Sequence, residues 1–209
     1  MSPAPADAPA VRRARADEWR AVGEVLGRSF WDDPVWNWVC PDRARLERHL
    51  GEGLARVVRP MCARGWVWTV DGPPGAGLRG AAVWAPPGRW RQPPREAAPA
   101  LLPMARAIGL RHVRRAVRGL TRMEHGHPHD EHWYLEILGV HPDHQGQGLG
   151  TALMRPVLDR CDTEGVPAYL ESSSPRSALL YRRHGFVETE EFPLGDGCPP
   201  TWRMWRDPR

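Results

Sequence analysis

WYLEILGVHPDHQGQGLGTALM, Trp133 to Met154, decides how the rest of the chain reads. An apolar run of strand length enters it, a Pro-Asp-His turn follows, and three glycines lead into an apolar helix. This order presents consecutive backbone N–H groups that lack intrahelical acceptors, where the helix macrodipole also favours negative charge. The stretch therefore predicts an anion site. A P-loop needs a lysine after its last glycine, and this chain contains no lysine. A dinucleotide fingerprint needs G-x-G-x-x-G, whereas Gly146, Gly148 and Gly150 are spaced G-x-G-x-G. Both nucleotide readings fail on residues. The bland alternative is a strand–turn–helix connection whose glycines serve only backbone geometry.

Composition narrows the setting. At 209 residues the chain suits a single domain with a full core, residues 11–209, preceded by a Pro/Ala-rich tail over residues 1–10 that is expected to be disordered. That start, MSPAPADAPA, lacks the basic and apolar regions of a signal peptide, and no run of about 18 apolar residues predicts a membrane span. Cys40, Cys62, Cys161 and Cys198 form no C-x-x-C pair, so reduced thiols and a cytoplasmic location are expected. The net charge of +4, carried by arginines, is too mild to argue a nucleic-acid partner and suits an enzyme handling a polyanion.

Outward from the central stretch, the first half reads as a short strand at Val11–Arg15 and a helix with Trp19, Val22, Val25, Leu26 and Phe30 at helical spacing, Asp17 near its cap. Phe30 to Trp38 reads as an aromatic-rich connection, either core or the wall of a pocket. A helix over Pro41–Ala63, capped by Asp42, precedes a hairpin of Trp66–Val70 and Leu78–Ala85. Pro86–Pro99 reads as a loop and Leu101–Met123 as a helix broken near Gly109, one face apolar and the other carrying Arg111, Arg114, Arg115, Arg118 and Arg122. That basic face is expected to be solvated; nucleic-acid binding is the sharper alternative. In HGHPHDEH, His125, His127, His129 and His132 have no H-E-x-x-H spacing and no helix to orient ligands, so no metal is expected. The segment reads instead as a loop beside the substrate, with His132 or Glu131 near it.

Strict alternation through Trp133–Val140 puts Tyr134, Glu136, Leu138 and Val140 on one face and Trp133, Leu135 and Ile137 on the other. Gly139 marks a bulge or a close backbone approach. Glu136, among apolar neighbours, is costly unless paired with an arginine or functional, and burial would raise its pKa toward that of a general base. Beyond the central stretch come a helix ending at Gly165, a strand at Ala168–Glu171, a helix at Arg176–His184 and two terminal strands, Phe186–Thr189 and Thr201–Trp205.

V-x-P-x-x-Q-G-x-G-x-G (Val140, Pro142, Gln145, Gly146, Gly148, Gly150) resembles the acyl-CoA pyrophosphate loop of the GCN5-related N-acetyltransferase (GNAT) family. S-x-x-S-A-L-L-Y-R-R-H-G-F resembles that family's second cofactor segment: Ala178, Tyr181, Gly185 and Phe186 match, while Ser174 stands where asparagine is usual. Within the family the motifs are most similar to those of puromycin N-acetyltransferase-like enzymes. The resemblance implies an α/β (α+β) fold, a mixed, mostly antiparallel central sheet flanked by helices and splayed between the fourth and fifth strands. It implies acetyl-CoA as co-substrate, its pantetheine along Leu138, Gly139 and Val140, its pyrophosphate on Gln145, Gly146, Gln147, Gly148, Leu149, Gly150 and Thr151, and contacts from Ser174 and Ala178. Tyr181, a phenol with an ordinary pKa of about 10, would protonate the departing thiolate. Glu136, directly or through water, would be the base, with Glu171 as second candidate. The expected reaction is direct acetyl transfer to the primary amine of a small molecule, such as an antibiotic or aminonucleoside. A protein or peptide N-acetyltransferase and a non-catalytic acyl-CoA-binding module are the alternatives. The sequence leaves the acceptor and the oligomeric state open, a homodimer included.

Overall fold

A computed structural model describes residues 10–209; the expected tail, but for Ala10, lies outside them. The chain runs β1 (Val11–Arg13), α1 (Trp19–Ser29), α2 (Pro34–Val39), α3 (Arg43–Ala63), β2 (Val67–Asp71), β3 (Leu78–Ala85), α4 (Pro94–Ile108), α5 (Val113–His125), β4 (Trp133–Val140), α6 (Leu149–Glu164), β5 (Ala168–Ser172), α7 (Pro175–Arg183), β6 (Val187–Phe192) and β7 (Thr201–Arg206). The seven strands form one sheet in the order β1-β2-β3-β4-β5-β7-β6. Every neighbouring pair is antiparallel except β4 and β5. One core packs α1 and α3 on one face of the sheet; the other packs α6 on the opposite face. This is the mixed, splayed sheet that the sequence implies.

Two departures from regular pairing position the site. The parallel pairing of β4 with β5 stops after Trp133–Ala168, Tyr134–Tyr169 and Leu135–Leu170, and the strands then part. On the other side of β4, Ile137 sits opposite Val83 and Leu135 opposite Trp84, which leaves Glu136 as the extra residue of a bulge. The bulge shifts the phase of the strand by one residue and overturns the strict alternation expected from sequence. Leu138 and Val140 join Trp133 and Leu135 on the α6 face, while Ile137 faces α1 and α3. Gly139 is not the bulge. It is a close approach: a Cβ there would clash with Ser29 Oγ and lie 2.8 Å from Leu26 Cδ2.

Other differences are local. Phe30–Trp38 is not a plain connection, because Asp33 accepts from the backbone of Val35 and Trp36 and Pro34 occupies the first turn, which starts α2. The loop after β3 is shorter than expected, since Pro94 likewise suits a helix start and α4 begins there. The cap of α1 is Glu18 rather than Asp17, its carboxylate drawn off by Arg12 and the Arg15 N–H. Asp42 caps α3 as expected, accepting from Arg45 N at 3.1 Å. Gly109, at φ 79°, breaks α4 from α5, with a short 3-10 turn between them. The basic face of α5 is only partly solvated: Arg115 donates to the Trp38 carbonyl and Arg122 to the Pro193 carbonyl, docking the helix. Among the described residues no helix is long and apolar enough to cross a membrane.

Gly139→Ala forces α1 away from β4, so it is expected to lower unfolding free energy by about 1–3 kcal/mol in a urea titration. An unchanged midpoint would contradict the close approach.

Candidate active site

A single cavity of about 1590 Å³ runs from the glycine loop, through the gap between β4 and β5, to a wall made by α2, α4 and α5. Its cofactor end is built from backbone. Gln145 turns its side-chain amide back onto the Val140 carbonyl at 3.2 Å, which closes the end of β4. Gly146 and Gly148 lie at φ 76° and 77°, where a side chain would be strained, and the space beside each is open. Among the described residues, the N–H groups of Gly146 through Thr151 have no acceptor within the chain, and Gly148 offers no side-chain cap. Six consecutive unpartnered donors at the positive end of α6 suit a diphosphate. Arg79 anchors the loop by donating to Gln147 Oε1 at 2.6 Å, which turns the Gln147 side chain off the cavity wall. Thr151 Oγ1 lies 2.9 Å from His184 Nε2.

Leu138, Gly139 and Val140 line the cavity with the strand edge that β5 has left. An extended amide chain such as pantetheine can add to that edge as a strand would. Ser174 also lines the cavity, but its hydroxyl caps α7 by accepting from Ser177 N at 3.2 Å. Ala178 is buried in the core beneath α7 rather than on the cavity wall.

Tyr181 reaches the cavity from α7, its ring edge-on to Phe186 at 6.0 Å. Its hydroxyl has no hydrogen-bond partner within the described residues. Burial, and then the charge of Asp33, pushes the phenol above its ordinary pKa, so it is protonated at neutral pH. Glu136 and Glu171 face the cavity from the two parted strands. Burial, and secondarily the charge of Glu171, raises Glu136 to about 7, with the Gln92 amide opposing. Burial likewise raises Glu171 to about 7, opposed by the hydroxyls of Tyr134 and Tyr169, the latter donating at 2.9 Å. Because the charge of one acts on the other, the two titrate as a coupled pair across neutral pH.

Two cavity residues were not read from the sequence. Asp33 accepts at Oδ1 from Val35 N and Trp36 N, at 2.9 and 3.0 Å, and at Oδ2 from the Ser173 hydroxyl, tying α2 to the start of α7. Burial raises its pKa. The Asp-Pro pair was its sequence signal, a cap followed by a first-turn proline. His127 is the other: it is buried, stacked on Trp90 at 3.8 Å, and lines the cavity. The loop expectation had placed His132 or Glu131 near the substrate. His132 instead lies buried behind His127, and Glu131 is exposed away from the cavity, because Asp130 turns the chain by accepting from His132 Nδ1.

Residues 108–186, from the end of α4 to the close of α7, match the acetyltransferase (GNAT) family. The chain is 27% identical over 188 residues to the uncharacterized N-acetyltransferase C550.08 of Schizosaccharomyces pombe, covering 85% of this chain and 74% of that protein. It is similar to a solved structure described as histone acetyltransferase HPA2 and related acetyltransferase from Corynebacterium glutamicum, with TM-score 0.66, 24% identity and 96% and 97% of the two chains covered. A mosquito arylalkylamine N-acetyltransferase like 5b matches with TM-score 0.61, 18% identity and 96% and 100% coverage. The central part of the chain is thus similar to the GNAT acetyltransferases, and the chain as a whole has the fold of these solved structures. These similarities support an acetyl-transferring enzyme with acetyl-CoA as its acyl donor.

The carboxylate pair sets a pH test. As pH rises through about 7 the pair loses its proton and gains a base, so kcat/KM for the acceptor should rise over that range. Glu136→Gln should cut kcat/KM by about 10²-fold, and Glu171→Gln, which removes the charge that raises Glu136, should move the acid limb to lower pH. An acid limb unmoved in that variant would assign it to another group.

Proposed function

We propose that this enzyme transfers acetyl directly from acetyl-CoA to the primary amine of a small amphipathic molecule with an aromatic or apolar body. The observation that carries the reading is the composition of the far end of the cavity. Asp33, Glu136 and Glu171 face it without an arginine partner within salt-bridge distance among the described residues. Around them stand Trp36, Trp38 and Trp90, with Leu101, Met104 and Leu120 from α4 and α5. Carboxylates attract an ammonium group, and tryptophan faces favour cations and flat apolar bodies. A volume of about 1590 Å³ exceeds the usual span of a one-ligand pocket, roughly 300–1,000 Å³, and leaves room for two substrates. The arylalkylamine acceptor named for the mosquito enzyme has the same chemistry and supports the reading.

In this reading each group acts at a stated atom. The edge of Leu138–Val140 and the N–H groups of Gly146–Thr151 hold the donor so that its thioester lies in the gap between the strands. Glu136, with Glu171 beside it, takes a proton from the acceptor nitrogen as that nitrogen bonds to the acyl carbon. Tyr181 donates its hydroxyl proton to the departing sulfur. The aminonucleoside expectation becomes one member of a wider class of amphipathic amines.

A panel of arylalkylamines, aminonucleosides, amino acids and basic peptides, followed by CoA release, tests the proposal. Arylalkylamines should give the highest kcat/KM, and Tyr181→Phe should lower kcat by about 10²-fold with acetyl-CoA affinity nearly intact. Transfer confined to peptides, or tight acetyl-CoA binding with no amine product, would contradict it.

A further inference from the structure

Behind Glu171 lies a short line of polar groups that the acetyl-transfer steps leave unused, hydrogen-bonded from Asp130 to His127, with a gap of 3.9 Å before Glu171 that a small side-chain rotation or one water must close. His132 Nδ1 is 2.6 Å from the Asp130 carbonyl, His132 Nε2 is 3.1 Å from His127 Nε2, and His127 Nδ1 is 3.9 Å from Glu171 Oε1. A carbonyl only accepts, so His132 Nδ1 carries a proton. With His132 neutral, its Nε2 accepts from His127 Nε2–H, and His127 Nδ1 turns a bare lone pair toward Glu171. That state suits a protonated Glu171. The same line admits one other state with the same proton count: Glu171 ionised, His127 protonated at Nδ1, and His132 protonated at both nitrogens.

We propose that His127 and His132 form a proton store behind Glu171, so that a proton taken up by the Glu171 carboxyl passes to His127 Nδ1 while the Nε2 proton of His127 passes to His132 Nε2. One O–H bond and one N–H bond break, two N–H bonds form, and the charge moves from the acceptor site to His132. The inference rests on the amine-acceptor reading above. It gives the two histidines unequal parts, and the stored state is a transient one, because burial lowers both histidines while it raises Glu171 to about 7. His127 is a conduit: burial lowers it to about 3, and His132, Arg91, Arg203 and His129 add to the cost of a charge there. His132 is lowered by burial too, but the Asp130 carbonyl and carboxylate offset part of that. The remaining neighbours, Tyr134 and Tyr169 edge-on to His127 and Trp205 edge-on to His132, are uncharged at neutral pH.

The store answers a count of protons. An alkylamine enters as the ammonium ion, with a pKa of about 10, and must lose one proton before it can attack and a second as the new bond forms. Tyr181 returns only one, to the sulfur. A base beside the nitrogen that keeps the first proton cannot take the second; a base that passes it on to His132 can. An acceptor already neutral at pH 7 needs no store.

The test is the ratio of two acceptors in His132→Gln and His132→Phe: a primary alkylamine and the O-alkylhydroxylamine of the same chain, which is uncharged at neutral pH. His132 does not line the cavity. At pH 7, kcat/KM for the alkylamine should fall about tenfold or more, and much less for the hydroxylamine. The alkylamine loss should shrink as pH approaches about 10. The hydroxylamine rate in the same sample reports whether the variant is folded. Equal losses for both acceptors, or no loss for either, would overturn the store and leave acetyl transfer to amines standing. Failure of the unmodified enzyme to acetylate either acceptor would overturn the amine reading and the store with it.

Discussion

The parting of β4 from β5 after Leu135 and Leu170 is the constraint on which the site depends. Parallel strands gain from every further ladder bond, so a sheet that opens here forgoes pairing that its neighbours keep. The bulge at Glu136 makes the opening possible, because one extra residue bends β4 and increases its twist. It also puts a carboxylate at the gap rather than into either core. From that single irregularity follow a free strand edge for an amide chain, a cleft between two layers of helices, and a general-base candidate aimed into it.

Electrostatics divides the cleft. At one end the positive charge is made of backbone N–H groups and the dipole of α6, so it needs no lysine, which this chain lacks. At the other end Asp33, Glu136 and Glu171 are kept without an arginine partner among the described residues, in a chain rich in arginine. Arg115 and Arg122 of α5 are used instead to dock a helix whose Val117 and Leu120, 55% and 57% exposed, line the cavity. This division suits an anionic donor at one end and, at the other, the cationic acceptor proposed above.

The strand, glycine turn and helices at the proposed donor end were legible in the sequence because their information is local. Glycine spacing, a strand before it and a helix after it are contiguous, and so is the run from Ser174 to Phe186. At the other end Glu136 and Glu171 were legible as candidates, but Asp33 and His127 were not, because these residues meet only through the fold. His127 and Glu171 come together across β4 and β5, and Asp33 reaches Ser173 over 140 positions of chain. The strand alternation failed for a related reason: a bulge is set by pairing with β3, and nothing in WYLEILGV alone marks Glu136 as the extra residue. The loop before α4 was misjudged because prolines were read as breakers when Pro94 stands where a helix can begin.

Amide hydrogen exchange with and without acetyl-CoA tests the central claim most directly, that the gap between the strands and the glycine loop together receive the donor. The account predicts marked slowing over residues 138–151, with the distant β6–β7 hairpin unchanged. Protection that misses residues 138–151, or that spreads evenly over the whole sheet, would contradict it.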